Sequence, residues 1–249
     1  MAERKAPKRA IILAGGEGTR LRPLTYEIPK PLVPVLGKPM LEYIIEELER
    51  NGVEEIILSI GYKAEKIQEH FDGKQSDFKA RIRYSIEREK LGTGGAIKLA
   101  LSTMHVKEGM IVVNGDNLFR MDFKEMYSTH KRNKALATIA VFDVPDVTGS
   151  GVVVLEGDKV VSFIEKPDPK DAQSRTISTG IYIIDKSIAD YFPAKEAFSF
   201  EKDFLHEYAE KGRIYAQRME MFLTVNDMKQ YREAEEKLKR GDGKSNNAY

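Results

Sequence analysis

The stretch LAGGEGTRLRPLTYEIPKPLVP (residues 13–34) contains three glycines, two arginines and four prolines in twenty-two positions. It overlaps the short apolar run at residues 9–14, which predicts a buried strand. Directly after a strand, the backbone N–H groups of a glycine-rich turn can approach an anion without obstruction by side chains. The stretch therefore predicts an α/β fold whose first strand ends in a phosphate-binding turn.

Two common phosphate-binding motifs do not match this turn. A dinucleotide-binding turn requires GxGxxG at the start of a helix and an acidic residue at the end of the second strand. Here Arg20 stands where a small residue would pack, Pro23 interrupts the helix, and the second strand ends at Gly61 without an acid. A P-loop requires GxxxxGK followed by Ser or Thr, which this sequence lacks. A nucleotide-dependent oxidoreductase is therefore excluded.

A purely structural turn would leave two cations unexplained. Lys30 lies between Pro29 and Pro31, and these prolines stiffen the loop that presents it, while Arg20 directly follows the glycine turn. Rigidly held cations beside a phosphate-binding turn are what a triphosphate site requires. We therefore interpret the stretch as a triphosphate-binding turn.

The composition narrows the class of protein and its partners. The 249 residues are 41% hydrophobic and 32% charged, as is typical of a soluble globular chain. A formal net charge of +1 gives no indication of nucleic acid or an anionic membrane as a partner. Because the sequence has no cysteine, disulfides, thiolate catalysis and cysteine-ligated metals are excluded, and a cytoplasmic location is predicted.

Strands and helices alternate along the first half of the chain, which predicts a mainly parallel sheet with helices on both faces. The predicted strands of this half are residues 9–14, 55–60, 80–86 and 110–114, and the predicted helices are residues 38–51, 64–71 and 95–104. The second half predicts strands at residues 135–142, 151–155, 160–164 and 176–184, and helices at residues 200–211 and 227–240.

Several ordered motifs carry a family resemblance that extends along nearly all the chain. They are LAGGEGTRLRPLT, PKPLVPVLGKPM, EREKLGTGGAI (87–97), VVNGDNLF (112–119), FIEKP (163–167) and STGIY (178–182). This set resembles the sugar-1-phosphate nucleotidylyltransferases, and its wording is most similar to the heptose- and mannose-1-phosphate guanylyltransferases. These enzymes condense a nucleoside triphosphate with a sugar-1-phosphate and release pyrophosphate.

The resemblance also implies a fold and a division of the chain. The expected fold is Rossmann-like (GT-A-type) α/β, a mainly parallel mixed sheet flanked by helices with a small acceptor-binding lobe and no C-terminal left-handed β-helix. A single domain is expected at residues 1–240, with a nucleotide-binding half at about 8–120 and a sugar-phosphate-binding half at about 121–226. Residues 241–249 are predicted to form a flexible tail, and a homo-oligomer is one expectation for the assembly.

The site residues are carried over from the family motifs. The resemblance assigns catalysis to Arg20, Lys30 and Asp116. Nucleotide binding is assigned to Leu13, Ala14, Gly15, Gly16, Gly18, Thr19, Glu87, Gly92 and Thr93. Sugar-phosphate binding is assigned to Gly151, Glu165, Lys166, Ser178 and Gly180. Mg²⁺ is the implied cofactor, with Asp116 and Asn226 as its ligands.

The second metal ligand departs from the common family pattern. Most members carry an Asp-Ile/Val-Gly stretch before the last helix, and here the matching residues begin with Thr224. Asn226 is nominated instead, because Val225-Asn226-Asp227 resembles the N-acetylglucosamine-1-phosphate uridylyltransferases, in which an asparagine of that stretch is the ligand. An amide oxygen can bind Mg²⁺, and Asp227 is the alternative. Either residue could equally serve as the N-cap of the last helix.

Two further questions have alternatives: which nucleotide base the protein binds, and whether it is catalytic. Glu87 favours guanine, because a carboxylate accepts from the adjacent N1–H and N2–H donors, whereas uracil suits an amide. The alternative is a UTP- or dTTP-using enzyme for glucose-1-phosphate or an N-acetylhexosamine phosphate. A second alternative, suggested by Thr224, is a non-catalytic regulatory subunit that binds nucleotide sugars.

Overall fold

The computed structural model describes residues 5–104 and 106–240, so the predicted tail at 241–249 lies outside it. Thirteen strands lie within the described residues: β1 (Arg9–Leu13), β2 (Pro34–Val35), β3 (Lys38–Pro39), β4 (Glu55–Ile60), β5 (Arg81–Ile86), β6 (Met110–Asn114), β7 (Asn117–Arg120), β8 (Ala137–Asp143), β9 (Gly151–Glu156), β10 (Lys159–Glu165), β11 (Thr176–Ile184), β12 (Ile214–Arg218) and β13 (Met221–Thr224).

Six α-helices lie in the same residues: α1 (Met40–Arg50), α2 (Ala64–Asp72), α3 (Gly92–Ser102), α4 (Phe123–Arg132), α5 (His206–Glu210) and α6 (Met228–Arg240). The segment Phe200–Leu205, predicted as the start of a regular helix, is a π-helix that leads into α5. The predicted elements are present within a few residues of their expected bounds. Strands β2, β3, β7, β12 and β13 and helix α4 were not predicted, and β3 takes the first two residues of the helix predicted at 38–51.

A nine-stranded mixed sheet forms the centre of the fold, in the order β5-β4-β1-β6-β11-β8-β12-β10-β9. Within this sheet, β5, β4, β1 and β6 are parallel to one another, and β8 is parallel to β12. The other pairings are antiparallel. The carboxyl ends of β1, β4, β5 and β6 therefore meet at one edge, where ligands bind in open α/β sheets.

The sheet is buried on both faces by helices. On β1, the side chains of Ala10 and Ile12 pack in a cluster that contains apolar residues of α1, α2 and α4. Ile11 packs on the opposite face with apolar residues of α3 and α5. This two-sided burial explains why β1 is a continuous apolar run rather than an alternating one.

Two small sheets lie beside the large one. β2 pairs with β3, and β7 pairs with β13 in an antiparallel ladder that ends with Asn117 opposite Thr224. The ladder brings Asp116 and Asn226, which flank these strands, to the same end of the molecule. None of the described helices is long and apolar enough to cross a membrane.

Candidate active site

A cavity of about 620 Å³ opens at the carboxyl edge of the parallel strands. Every residue predicted for catalysis, nucleotide binding or metal binding lines it: Leu13, Ala14, Gly15, Gly16, Gly18, Thr19, Arg20, Lys30, Glu87, Gly92, Thr93, Asp116 and Asn226. The sequence analysis did not assign six further lining residues, Glu17, Pro31, Lys90, Ala96, Asn114 and Gly115. Three of these, Glu17, Pro31 and Gly115, are adjacent in sequence to an assigned residue, and all six lie within the quoted motifs, so the motifs contained the signal.

The glycine turn folds back onto the loop that carries Lys30. Gly18 has a φ of +63°, and a Cβ on it would lie 2.6 Å from the Cβ of Lys30. No other residue fits both this backbone conformation and this space. The carbonyl of Gly18 accepts hydrogen bonds from the N–H of Leu21 at 3.0 Å and from the hydroxyl of Thr25 at 2.8 Å. The turn and the lysine loop therefore form one unit.

Lys30 is the central cation of the cavity. It is only 7% exposed, and its ammonium donates to Asp116 Oδ2 at 2.8 Å and to Asn226 Oδ1 at 2.8 Å. A buried charge without partners costs several kcal/mol, and these two oxygens offset much of that cost. Residues from three distant parts of the sequence thus meet at one nitrogen.

The structure separates the two roles that Asn226 and Asp227 could have played. Asp227 Oδ1 accepts a hydrogen bond from the backbone N–H of Gln230 at 2.9 Å, so Asp227 is the N-cap of α6. The side chain of Gln230 in turn accepts from the backbone N–H of Asn226 at 2.9 Å, one residue before the N–H that a capping box uses. The amide oxygen of Asn226 accepts from Lys30 and does not cap the helix.

The donor set at this point fits a magnesium ion. Asp116 and Asn226 offer one carboxylate and one amide oxygen, which approach the same cationic nitrogen, and Mg²⁺ prefers such hard oxygen donors. Within the described ranges, no group of three or more His, Cys, Asp or Glu side chains could hold a metal. A site with few protein ligands suits an ion that is also bound by substrate phosphates. Metal binding by Asp116 and Asn226 stays a prediction.

Glu87 lies just beyond the carboxyl end of β5, close to the glycine turn. Its Oε1 accepts from the hydroxyl of Ser59 at 3.2 Å. Burial raises the pKa of the Glu87 carboxyl above its usual value, while hydrogen bonds from Ser59 and from the backbone at Leu91 act in the opposite direction. A half-buried carboxylate at the cavity wall suits the recognition of N–H donors on a base.

The glycines at the start of α3 have a packing role that the sequence analysis did not anticipate. The N–H groups of Gly94 and Gly95 donate to the carbonyl of Phe198, at 3.0 and 3.3 Å. A Cβ on Gly94 would lie 2.2 Å from the Phe198 ring, so only glycine allows this contact. The start of α3 is therefore fastened to the segment before the π-helix, and Gly92 and Thr93 are the members of this motif that line the cavity.

The predicted sugar-phosphate residues lie outside the lining of this cavity, in a neighbouring group on β9, β10 and β11. Gly151 is opposite Glu165 in the β9–β10 ladder, and Lys166 contacts Glu165 at 3.2 Å. Burial raises the pKa of Glu165, the charge of Lys166 lowers it, and the nearby carboxylate of Glu201 raises it further. The ladder thus places Gly151 beside an anion and a cation that are neighbours in the FIEKP motif.

The other two members of this group, Ser178 and Gly180, lie on β11 at an irregularity in its pairing with β8. Gly180 is packed directly against the side chain of Asn114, which lines the nucleotide cavity. The side chain of Asn117 donates to the carbonyl of Thr179 at 3.2 Å. The group is therefore contiguous with the cavity, as two halves of one site would be.

Comparison with known proteins identifies the class to which this chain belongs. The model of the family described as "Nucleotidyl transferase" matches residues 9–240. The chain belongs to this family, and its curated relatives place it among the sugar-1-phosphate nucleotidylyltransferases.

Two relatives and one solved structure show which members of this class the chain is similar to. D-glycero-alpha-D-manno-heptose 1-phosphate guanylyltransferase of Aneurinibacillus thermoaerophilus is 37% identical, over 92% of this chain and 97% of the relative. The enzyme of the same name from Campylobacter jejuni is 43% identical, over 84% of this chain and 89% of the relative. The crystal structure of HddC from Yersinia pseudotuberculosis complexed with GMP-PN is 34% identical, with a TM-score of 0.78, and covers 93% of this chain and 100% of that one.

Proposed function

We propose that the protein is a guanylyltransferase that condenses GTP with the 1-phosphate of a heptose or mannose and releases pyrophosphate. The observation that carries the proposal is the Lys30 ammonium, held by Asp116 and Asn226 beside a glycine turn. The names of the heptose-1-phosphate guanylyltransferase relatives support the choice of acceptor. The proposal includes the cytoplasmic location predicted from the cysteine-free sequence.

The reaction needs positioning and neutralisation of charge more than covalent participation by the protein. An oxygen of the sugar-1-phosphate forms a bond to the α-phosphorus of GTP, and the bond from that phosphorus to the bridging oxygen of the leaving pyrophosphate breaks. The backbone of the glycine turn binds the phosphates, and Arg20 and Lys30 stabilise the charge that is shared with the leaving group. A magnesium ion held by Asp116 and Asn226 would supply further positive charge.

Glu87 supports guanine as the base. Its carboxylate lies at the wall of the cavity and can accept from two adjacent N–H donors on one edge of guanine. Ser59 and the backbone at Leu91 donate to this carboxylate, and because an ionised carboxylate has about four acceptor sites, capacity for a base is left.

The group on β9, β10 and β11 supports binding of a sugar phosphate. The Glu165 carboxylate can accept hydrogen bonds from sugar hydroxyls, and the exposed ammonium of Lys166 can bind the phosphate. Because the group adjoins the cavity through Gly180 and Asn114, an acceptor held there would reach the nucleotide.

A substrate matrix tests the proposal. Pyrophosphate release is measured with GTP, UTP, dTTP and ATP, each combined with heptose-, mannose-, glucose- and N-acetylglucosamine-1-phosphate, in Mg²⁺ and after its removal by EDTA. We expect the highest kcat/KM for GTP with a heptose- or mannose-1-phosphate, and loss of turnover without the metal. Equal use of UTP would remove the guanine assignment. Nucleotide-sugar binding without turnover in Mg²⁺ or Mn²⁺ would instead favour a regulatory subunit.

A further inference from the structure

The carboxylate of Glu201, on the first turn of the π-helix, lies between the two halves of the site. One oxygen, Oε2, accepts from the hydroxyl of Thr93 and from that of Ser199, the latter at 2.9 Å. The other oxygen, Oε1, accepts from the hydroxyl of Tyr182 at 3.1 Å. Thr93 belongs to the nucleotide cavity and Tyr182 to β11, so a single side chain bridges them.

The contact on the nucleotide side has a defined direction. The hydroxyl of Thr93 accepts the backbone N–H of Phe200 at 2.9 Å while it donates to Glu201. Its proton is therefore committed to the carboxylate. Because the start of α3 is also fastened to the Phe198 carbonyl, a ligand that fixes Thr93 also fixes the segment that carries Glu201.

The contact on the sugar side is equally constrained. Tyr182 is fully buried, and burial raises the pKa of its phenol well above the usual value, so it stays a hydrogen-bond donor. The phenol is also hydrogen-bonded to the side chain of Ser178, one of the predicted sugar-phosphate residues. Glu201 further raises the pKa of Glu165 through its charge. Ser178 and Glu165, both predicted to bind the sugar phosphate, therefore respond to the position of the Glu201 carboxylate.

We propose that Glu201 is a positioning residue that couples the two halves, so that nucleotide binding raises the affinity for the sugar-1-phosphate. Nucleotide contacts at Thr93 restrict the segment that carries Glu201, and Glu201 in turn restricts Tyr182, whose phenol is hydrogen-bonded to Ser178. The sugar phosphate then binds to groups that have less conformational freedom to lose. The inference rests on the proposed function, because it concerns the same two substrates. It adds a coupling free energy between nucleotide binding and sugar-1-phosphate binding, beyond the binding free energy of each substrate alone.

The test is calorimetric titration of heptose-1-phosphate into the whole protein, with and without a saturating non-hydrolysable GTP analogue. The ratio of the two dissociation constants is the coupling factor, which we expect to be about tenfold in the wild type. Thr93→Val, Tyr182→Phe and Glu201→Ala should each reduce it to about one. Glu201→Gln keeps one acceptor oxygen and should retain part of the coupling factor.

Matched controls are Thr103→Val at the other end of α3 and Tyr84→Phe on β5, which should retain the wild-type coupling factor.

The outcomes separate the inference from the proposed function. Binding of the analogue and of the sugar phosphate with a coupling factor of one in the wild type would overturn the inference and leave the proposed function standing. A factor that persists in Glu201→Ala or in Thr93→Val, with melting temperatures confirming folded variants, would also overturn it. Failure of the wild type to bind the GTP analogue at all would overturn the proposed function itself, and the inference with it.

Discussion

The nucleotide-binding and sugar-phosphate-binding halves of the site differ in the groups that form them. The nucleotide side consists largely of backbone: a glycine turn, strand ends and one buried lysine whose charge is satisfied by Asp116 and Asn226. The sugar side lies on β9, β10, β11 and the π-helix, and two of its carboxylates, Glu165 and Glu201, repel each other although each has partners of its own. The nucleotide side thus holds a buried cation between two oxygens, whereas the sugar side holds two carboxylates close together.

This difference teaches where specificity can change. A backbone cradle binds phosphates that all nucleotides share, and its geometry depends on the packing of the whole fold. Side chains on a hairpin can be exchanged with little effect on the sheet. We therefore expect substitutions on the nucleotide side to alter turnover and substitutions on the sugar side to alter acceptor affinity.

Lys30→Met should produce the largest effect. The variant keeps the apolar stem but removes the ammonium, so charge on the leaving pyrophosphate loses its buried partner, and kcat should fall by about 10²–10³-fold. Steady-state kinetics with the best substrate pair measures this. Lys170→Met, which removes an exposed lysine paired with Asp168, should leave kcat within about twofold. A small effect of Lys30→Met would break the comparison, because a satisfied buried cation would then be only structural.

Acid should weaken the scaffold of the sugar half through His130. This histidine of α4 is buried, its Nε2 has no partner, and burial lowers its pKa to about 4. Between its usual pKa of about 6.5 and about 4, the unfolded chain binds a proton that the folded chain does not, so stability is complete above this window and is lost as the pH falls through it. The loss should reach about 3 kcal/mol, measured by urea unfolding from pH 7 to 4.

The matched variants for this prediction are two histidine substitutions. His130→Gln should flatten the pH dependence of the free energy of unfolding, whereas His206→Gln, at an exposed position, should retain the wild-type slope. An unchanged slope in His130→Gln would show that other groups dominate the acid response.

Glu165→Gln should act on the acceptor alone. The amide accepts fewer hydroxyl hydrogen bonds than the carboxylate, so the KM for the sugar-1-phosphate should rise about tenfold or more while the dissociation constant of the GTP analogue stays unchanged. Glu156→Gln, at the exposed end of β9 in the same hairpin, is the control. A parallel loss of nucleotide affinity would contradict the division of labour between the two regions.

Glu87→Gln should give the smallest of these effects, a shift of about tenfold in kcat/KM from GTP toward UTP. Because burial raises the pKa of Glu87, the wild type should lose GTP affinity on acidification at a higher pH than an ordinary glutamate would dictate. The variant should lack this pH dependence. Glu89→Gln, an exposed neighbour, should retain both the preference and the pH profile.

The alternation of apolar runs and turn residues predicted most of the parallel half, because these patterns act locally. The family resemblance supplied thirteen of the nineteen residues that line the cavity. Helix α4 was missed although its signal was present: Asp122 caps its first turn, and Phe123, Met126 and Tyr127 repeat with helical spacing. The pairing of β7 with β13 could not be predicted, since four-residue strands a hundred positions apart carry no register information.

The bridging role of Glu201 was equally hidden from the sequence. Its partners Tyr182 and Thr93 are 19 and 108 residues away, and only the folded chain brings them within hydrogen-bonding distance. The choice between Asn226 and Asp227 was open for a similar reason. The sequence alone does not show which of the two residues caps the helix and which faces the cavity. The hydrogen bonds of Gln230 with Asn226 and with Asp227 distinguish these roles.

The β7–β13 ladder joins residues that are synthesised at very different times. The glycine turn and Lys30 are synthesised well before Asn226, which lies 196 residues further along the chain. A nascent chain halted before β13 can form the parallel strands, yet Lys30 would have Asp116 as its only partner of the two. A chain that ends before β13 therefore lacks one of the two oxygens that hold Lys30, so such truncated chains should remain catalytically silent.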